Sequence, residues 1–227
     1  MHGNLNEPIG RFGQTELWFA TPAAEDFFDP ATLSPADQKR FSAPRGKRRQ
    51  QEFKVSRALK AFTVAERAGT AFSLSHSAGH AALLLGPTTA KLGVDLEIAR
   101  PRDVLRIAHD VFHESEFRAL SMTGESERLR DFYTLWTLKE AFIKALDLNL
   151  FDGLRRCVFV RSALRTWRSS IPTESHWTAR VYQPHADFYL AMAWIGGETQ
   201  TNILEWPPKR PAQWPLIAAA TSAARPE

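Results

Sequence analysis

The order of predicted elements along this 227-residue chain indicates an α+β fold built from two packed halves. A strand is followed by a helix and three short strands, and two longer helices are followed by three further strand-like segments. Helices and strands that occur in separate runs are typical of α+β proteins. With 44% hydrophobic and 24% charged residues, the composition is that of an ordinary globular protein.

The first predicted strand covers residues 16–20, and a proline-punctuated loop follows it. Ser34 before Pro35 predicts the start of a helix, because serine can accept a hydrogen bond from the first turn and proline suits the first helical position. From residue 48 to 68, apolar residues recur at three- and four-residue spacing. This pattern predicts an amphipathic helix that stops near Gly69.

The rest of the chain divides into three groups of predicted elements. The three short strands are 71–77, 80–86 and 91–97, with turns at Ala78-Gly79 and at Gly86-Pro87-Thr88. The two helical stretches are 102–122 and 125–147. The β-rich segments that follow are 157–164, 176–182 and 187–195.

These groups predict an organisation into two halves and a tail. Residues 1–98 form an N-terminal α+β half and residues 99–196 a C-terminal α+β half. The sequence after Gly196 contains five prolines and ends in small residues. We therefore expect residues 197–227 to form an irregular tail rich in proline and alanine.

The formal net charge is +4, which favours anionic partners. Basic residues concentrate at two places, Arg45 with Lys47, Arg48 and Arg49, and Arg155 with Arg156 and Arg161. Nucleic acid, a phosphorylated small molecule and an acidic protein surface all fit such a chain. Charge alone does not choose between them.

Cys157 is the only cysteine, which excludes an intrachain disulfide, a thiolate zinc cluster and a CxxC redox pair. The first residues lack the charged start and apolar run of a signal peptide, and no stretch approaches the roughly 20 apolar residues that span a bilayer. We expect a soluble cytoplasmic protein that does not bind membranes.

Two carboxylates, Asp95 and Glu97, lie two residues apart on a predicted strand, where such side chains point to the same face. Val94 and Leu96 point the other way, into a core. Hard divalent cations such as Mg²⁺ bind through one or two carboxylates together with substrate phosphates. The alternative is that both acids merely occupy the solvent face of an edge strand.

Glu140 and Lys144 lie four residues apart on the second predicted helix and therefore share one face. Glu140 could complete a carboxylate set or accept a proton, and Lys144 could neutralise a phosphate. The alternative is a surface ion pair of about 0.2–0.5 kcal/mol.

Ser75 and His76 lie at a strand end beside the tight turn at Ala78-Gly79. Hydroxyl and imidazole groups at such a position can bind phosphate, although they could equally be turn-forming residues without a ligand. The sequence contains no G-x-S-x-G, Walker A, G-x-G-x-x-G or H-E-x-x-H motif. This excludes the commonest hydrolase, NTPase, dinucleotide-binding and zinc-protease classes.

Four motifs in this order resemble the Sfp-type 4'-phosphopantetheinyl transferases. They are SLSHS at 73–77, GVDLE at 93–97, FHESE at 112–116 and WTLKEAFIKAL at 136–146. The resemblance is strong over residues 72–146 and weaker over residues 37–62, where Ser56-Arg-Ala-Leu59 is similar to the family's N-terminal helix. After residue 150 only the element order agrees.

The resemblance implies a pseudo-dimeric fold of two similar halves, each with a small antiparallel sheet packed on helices, and coenzyme A in the cleft between them. By position, Asp95, Glu97 and Glu140 match the family's Mg²⁺ ligands, and Lys144 matches its phosphate-contacting lysine. Ser75 and His76 match its S-H pair at the phosphate end of the nucleotide. Glu116 matches the glutamate of its F-x-x-x-E segment.

The implied reaction moves phosphopantetheine from coenzyme A to a serine of an apo acyl or peptidyl carrier protein and releases 3',5'-ADP. Asp95, Glu140 and Lys144 are the candidate catalytic residues. Mg²⁺ and Lys144 would offset negative charge on the bridging oxygen. Either Glu140 or a metal-held water could accept the serine proton. The carrier could serve fatty acid, polyketide or nonribosomal peptide synthesis.

Basic residues in and just before the first predicted long helix could bind the coenzyme A 3'-phosphate, meet an acidic carrier protein or remain solvated. The candidates for coenzyme A are Lys47, Arg49 and Arg57. The sequence departs from the family in lacking a Gly-Lys-Pro segment before the S-H-S strand and in reading Lys60-Ala61 where the helix usually ends in Leu-Arg.

Two other classes of function compete with the transferase. One is a non-catalytic relative that binds coenzyme A or carrier protein. The other is a metal-dependent nucleic-acid protein, which the absence of a recognisable nucleic-acid module disfavours. We expect a monomer, because a duplicated fold completes its own cleft. We also expect no nucleic-acid partner.

Overall fold

A computed structural model of the chain describes residues 14–43, 46–65, 67, 69–163, 166–170, 176–196 and 200–222. The strands are β1 (Gln14–Ala20), β2 (Thr70–Ser77), β3 (His80–Pro87), β4 (Lys91–Ile98), β5 (Val158–Ala163), β6 (Thr166–Ser170), β7 (Trp177–Tyr182), β8 (Phe188–Ile195), β9 (Gln200–Trp206), β10 (Arg210–Pro211) and β11 (Leu216–Thr221). The α-helices are α1 (Pro35–Ser42), α2 (Lys47–Val64), α3 (Val104–Val111), α4 (Glu114–Met122), α5 (Glu125–Ala145) and α6 (Leu150–Arg156). Two short 3-10 helices, Pro22–Phe27 and Pro30–Thr32, lie between β1 and α1.

The strands form two sheets, and the predicted α+β class is confirmed. The first sheet has the order β10-β9-β1-β3-β2 and the second has the order β4-β8-β7-β11-β6-β5. Both sheets are mixed rather than purely antiparallel, because β1 pairs in parallel with β9 and β11 pairs in parallel with β6.

Three apolar clusters arrange the elements into four layers. One cluster joins α2 to the outer face of the first sheet, for example through Leu59 and Trp18. A second lies between the sheets, with Phe19 of one sheet and Leu190 of the other. The third packs helices α3 to α6 on the far side of the second sheet. The two sheets are thus sandwiched between helices, and the faces that they turn towards each other lie inside the molecule.

Local signals in the sequence explain several element boundaries. The Ser34 hydroxyl accepts a hydrogen bond from the Asp37 amide at 3.2 Å, which confirms the predicted start of α1. Ala78 and Gly79 have φ values of 50° and 77°, as a two-residue hairpin turn requires, and they join β2 to β3 as predicted. Helix α2 ends at Val64, four residues before the predicted end.

The predicted helix over residues 102–122 is two helices, because a new N-terminus forms at His113. The His113 side chain accepts a hydrogen bond from the Ser115 amide at 3.2 Å, and Glu116 accepts one from the His113 amide at 3.1 Å. This reciprocal capping interrupts the apolar periodicity. Helix α6, capped by Asn149, was not predicted.

Over residues 200–222, the expectation of an irregular tail after Gly196 is wrong. Strand β9 lies between β1 and β10, and β11 lies between β7 and β6. Ala218 and Ala220 are 0% and 1% exposed, because alternate small residues of β11 pack under helices. Strand β4, which falls within residues 1–98, pairs with β8 in the second sheet. The predicted boundary between two halves at residue 98 stays a prediction.

Among the described residues, no helix combines the length and the apolar character that crossing a membrane requires.

Candidate active site

The two carboxylates of β4 lie at the edge of the second sheet, beside β2 of the first sheet. Val94 and Leu96 are 0% and 1% exposed in the core between the sheets, so the alternate residues Asp95 and Glu97 face the opposite side. Asp95 is itself only 2% exposed. The alternative of a solvent-facing edge strand therefore does not apply to this residue.

Helix α5 crosses β4 and brings Glu140 and Lys144 to the same place. Gly93 makes this close approach possible, because a Cβ atom at this position would lie 1.9 Å from the Ala141 carbonyl oxygen. Asp95, Glu97 and Glu140 each offer a carboxylate oxygen, and these three oxygens lie within 4.8 Å of one another. We call these three residues the acidic cluster.

The electrostatics of the acidic cluster indicate a place for a cation. Burial, with the nearby Asp95 charge, raises the pKa of Glu97 to about 7 and the pKa of Glu140 to about 8. Asp95 Oδ2 is buried and has no hydrogen-bond partner. An unpaired carboxylate oxygen and two further carboxylates that resist ionisation fit a divalent cation with oxygen ligands.

Lys144 is a cation that lies in direct contact with this cluster. Its Nζ lies 2.8 Å from Asp95 Oδ1 and 4.0 Å from Glu140 Oε2. The same ammonium donates to the Val94 carbonyl oxygen at 3.0 Å and to Ser75 Oγ at 3.3 Å. One lysine charge against three carboxylates leaves the cluster negative if all three are ionised.

Ser75 and His76 project to opposite faces of β2, as neighbouring residues of a strand do. Ser75 is 8% exposed and its hydroxyl donates to Asp95 Oδ1 at 2.9 Å. His76 lies on the other face, where its side chain is about half-exposed and its Nδ1 lies 3.9 Å from Glu52 Oε2. Burial lowers the pKa of His76, although Glu52 opposes this effect.

The face of β2 that carries His76 lines a cavity of about 370 Å³ between β2, α1 and α2. Its lining residues are Asp37, Arg40, Arg57, Lys60, Phe72, Leu74 and His76. Three cationic side chains against one carboxylate make it a basic cavity, the name we use below. Arg57 Nη2 lies 2.9 Å from Asp37 Oδ1, and its buried Nε has no partner.

The structure does not bring every predicted coenzyme A residue to this cavity. Arg57 and His76 line it, whereas Lys47 and Arg49 are exposed at the start of α2. At 1.5 Å per residue they lie roughly 12–15 Å from Arg57 along the helix axis. Arg45 lies outside the described residues.

Glu116, the glutamate of the F-x-x-x-E segment, belongs to a different part of the structure. It pairs with Lys139, and both side chains are 0% exposed. Its second oxygen accepts a hydrogen bond from the Phe159 amide at 2.8 Å. The residue therefore joins α4 to α5 and β5.

Several residues of the site carry too weak a local signal to be predicted from the sequence. Gly93 was visible in the GVDLE motif, but only the structure shows which backbone approaches it. Arg40 and Lys60 carry no sequence signal that distinguishes them from surface residues of a helix. They line the cavity only because α1 and α2 pack beside β2. Ser77, which donates to Glu97 Oε2 at 3.3 Å, was seen only as part of the S-H-S triplet.

Comparisons with known proteins add a family to this geometry. Residues 91–193 match the family described as the 4'-phosphopantetheinyl transferase superfamily. This segment contains Asp95, Glu97, Glu140 and Lys144. It does not include β2 or the basic cavity.

Curated relatives carry the same name over longer stretches. A putative 4'-phosphopantetheinyl transferase of Synechocystis, slr0495, is 29% identical over 66% of this chain and 64% of its own length. The 4'-phosphopantetheinyl transferase HetI of Nostoc is 30% identical over 56% of this chain and 53% of its own length. The chain thus covers less than two thirds of either relative.

Among solved structures, holo-[acyl-carrier-protein] synthase of Thermotoga maritima is 21% identical, over 48% of this chain and 63% of that one, with a TM-score of 0.35. A likeness this weak carries no argument about the chain. The matched segment and the curated relatives do, and they support the resemblance of the motifs at the level of the superfamily. Over residues 91–193 the chain is similar to the 4'-phosphopantetheinyl transferase superfamily.

Proposed function

We propose that the protein transfers the 4'-phosphopantetheine group of coenzyme A to a serine of an apo acyl or peptidyl carrier protein and releases 3',5'-ADP. The acidic cluster beside Lys144 is the observation on which the proposal depends. The similar proteins of Synechocystis and Nostoc are named 4'-phosphopantetheinyl transferases, which supports the proposal.

Asp95, Glu97 and Glu140 would hold Mg²⁺, which would supply positive charge to offset the negative charge of the pyrophosphate oxygens. The carrier serine oxygen forms a bond to the phosphorus that carries the pantetheine arm. The bridging oxygen leaves with 3',5'-ADP. Lys144 supplies positive charge beside the cluster, so that negative charge on the leaving group is offset.

The serine hydroxyl has to lose its proton during this step, and two acceptors fit. Burial raises the pKa of Glu140 to about 8, which makes it the stronger carboxylate base at this site. A water held beside the acidic cluster is the other acceptor. Glu140 and this water are therefore both candidate acceptors of the serine proton.

The nucleotide end of coenzyme A would enter the basic cavity. Arg57, Lys60 and Arg40 offer donors for a phosphate, and the half-exposed Phe72 offers an aromatic face. Asp37 already engages Arg57 and Lys60, so a phosphate would share these cations with it. Lys47 and Arg49, which lie outside the cavity, are better placed for an acidic carrier protein or for solvent.

A cytoplasmic location, a monomeric state and the absence of a nucleic-acid partner stay predictions. The carrier protein could belong to fatty acid, polyketide or nonribosomal peptide synthesis. The alternative function is a non-catalytic relative that binds coenzyme A or carrier protein without transfer.

The test is the intact mass of apo carrier proteins after incubation with coenzyme A, Mg²⁺ and the full chain. We expect a gain of about 340 Da, the mass of one phosphopantetheine. The gain should disappear with Asp95→Asn and persist with Asp110→Asn, a matched change at an exposed carboxylate outside the site.

Fatty-acid, polyketide and peptide carriers should all be tried. If none of them gains mass while the protein still binds coenzyme A, the transferase proposal fails and the non-catalytic relative takes its place.

A further inference from the structure

Strands β2 and β4, which are edge strands of the two sheets, lie next to each other. In the described part of the chain, β2 pairs only with β3 and β4 only with β8. The edge of β4 is nevertheless satisfied, because its Val94, Leu96 and Ile98 amides donate to serine hydroxyls rather than to a strand backbone.

Three alternate serines of β2 supply these hydroxyls. Val94 N donates to Ser73 Oγ at 3.0 Å, Leu96 N to Ser75 Oγ at 3.2 Å and Ile98 N to Ser77 Oγ at 3.4 Å. Side chains two residues apart share one face of a strand, so the serines form a regular row. We call this row the serine seam.

Two of the three serines also hold the acidic cluster. Ser75 Oγ donates to Asp95 Oδ1 at 2.9 Å and Ser77 Oγ donates to Glu97 Oε2 at 3.3 Å. Within the described residues, the Ser73 hydroxyl has its bond from Val94 and none to a carboxylate. In the serine seam, Ser73 therefore contacts only the backbone of β4, whereas Ser75 and Ser77 also contact carboxylates.

The hydroxyl of Ser75 has no capacity left for a substrate. A serine hydroxyl has one proton and two lone pairs. The proton goes to Asp95, and the lone pairs accept from Leu96 N and from Lys144 Nζ at 3.3 Å. Ser75 thus acts through its neighbours rather than on a phosphate directly.

The contacts fix which carboxylate oxygen is available to a cation. Ser75 and Lys144 both hold Asp95 Oδ1, and Oδ2 is left buried without a partner. A carboxylate whose rotation is fixed this way loses little further freedom when it binds a cation.

We propose that Ser75 and Ser77 are positioning residues, which hold Asp95 and Glu97 in the arrangement that binds a divalent cation, whereas Ser73 only joins the two sheets. This inference rests on the cation site of the proposed function. It adds that the affinity of the site depends on two hydroxyls from the opposite sheet.

The test measures Mn²⁺ binding to the purified full chain by the electron paramagnetic resonance signal of free Mn²⁺. Loss of a partner that orients a metal ligand typically weakens affinity 10–100-fold. We expect Ser75→Ala to fall within that range and Ser77→Ala, which loses a longer hydrogen bond, to weaken affinity by about 5–10-fold. Ser73→Ala should change it less than about twofold.

Two controls separate positioning from a loss of folding. Ser77→Thr restores a hydroxyl and should recover Mn²⁺ affinity, and urea unfolding reports the stability of every variant. The inference is overturned if Ser73→Ala and Ser77→Ala weaken Mn²⁺ binding equally, or if neither Ser75→Ala nor Ser77→Ala weakens it.

Failure of the proposed function looks different. In that case the wild type binds Mn²⁺ with the expected dependence on the seam but transfers no phosphopantetheine to any carrier. If instead transfer occurs and the seam variants bind Mn²⁺ normally, the function stands and this inference falls.

Discussion

Lys139 Nζ lies 2.5 Å from Glu116 Oε2, and both side chains are completely buried. The same ammonium donates to the Cys157 carbonyl oxygen at 2.5 Å, and the carboxylate accepts two backbone amides. Every charge in this pair is matched by several partners, so the pair joins α4, α5 and the start of β5.

A substitution that removes the charge of Lys139 or of Glu116 should therefore leave the other charge buried without a partner of opposite sign. We expect Lys139→Met to lower the free energy of unfolding by about 3–5 kcal/mol in urea titrations. The control is Arg118→Met, which breaks the exposed pair of Arg118 with Glu114 and should change stability by less than about 1 kcal/mol. Equal effects of the two changes would contradict the prediction.

Gly93 should be sensitive to the smallest possible substitution. An added Cβ would meet the backbone of α5, which cannot rotate aside as a side chain can. We expect Gly93→Ala to destabilise the fold by about 3 kcal/mol or more, at the upper end of overpacking effects. Chemical denaturation measures this.

Gly124→Ala is the matched control, because a Cβ there has open space and this helix N-cap position should lose no more than about 1 kcal/mol. If Gly93→Ala is as mild as Gly124→Ala, the close packing of β4 on α5 is not essential.

His80 should make stability depend on pH. Burial lowers its pKa below the usual value and the nearby His185 adds to this, although the Ala78 carbonyl opposes it. The unfolded chain therefore binds this proton more tightly. The stabilisation is complete above the unfolded pKa of about 6.5 and is lost as the pH falls through the folded pKa.

Unfolding by guanidinium at pH 7.5 and at pH 5.5 tests this. The decrease in the free energy of unfolding between the two should be smaller in His80→Gln than in the wild type. The exposed His109→Gln is the control for the substitution itself. An equal loss of pH dependence in both variants would rule out His80 as the cause.

Leu204 tests whether the C-terminal strands are part of the core. It is 9% exposed and belongs to the apolar cluster that contains Trp18 and Leu59. Leu204→Asp would bury an unpaired charge, so we expect it to lower the free energy of unfolding by more than about 4 kcal/mol.

Asn202→Asp introduces the same charge on the same strand at an exposed position and should change stability by less than about 1 kcal/mol. Similar, small effects at both positions, measured by thermal and urea unfolding, would mean that β9 is peripheral.

The parts of the fold that sequence predicted well are those with local signals. Strands β2 to β4 follow from alternation and a two-residue turn, and α5 follows from apolar spacing. The shared face of Asp95 with Glu97 and that of Glu140 with Lys144 follow from the periods of a strand and a helix. The structure brings all four together, and their catalytic roles stay predictions.

The parts that sequence did not predict depend on distant partners. Residues 200–222 contain prolines and small residues, which carry little strand signal. They form strands because they pair with β1, β6 and β7, which are distant in the sequence. Lys144 and Ser75 are 69 residues apart and share no local pattern. Arg40 and Lys60 become part of a basic cavity only when two helices close over β2.

The parallel pairing of β1 with β9 also governs how the protein can be made. Thr15 and Thr201, which hydrogen-bond across this pair, are 186 residues apart. At synthesis rates of about 5–20 residues per second, β1 leaves the ribosome about 10–40 s before its partner exists. During that interval the central strand of the first sheet keeps one edge unpaired on the nascent chain, so this sheet is completed only after β9 has been synthesised.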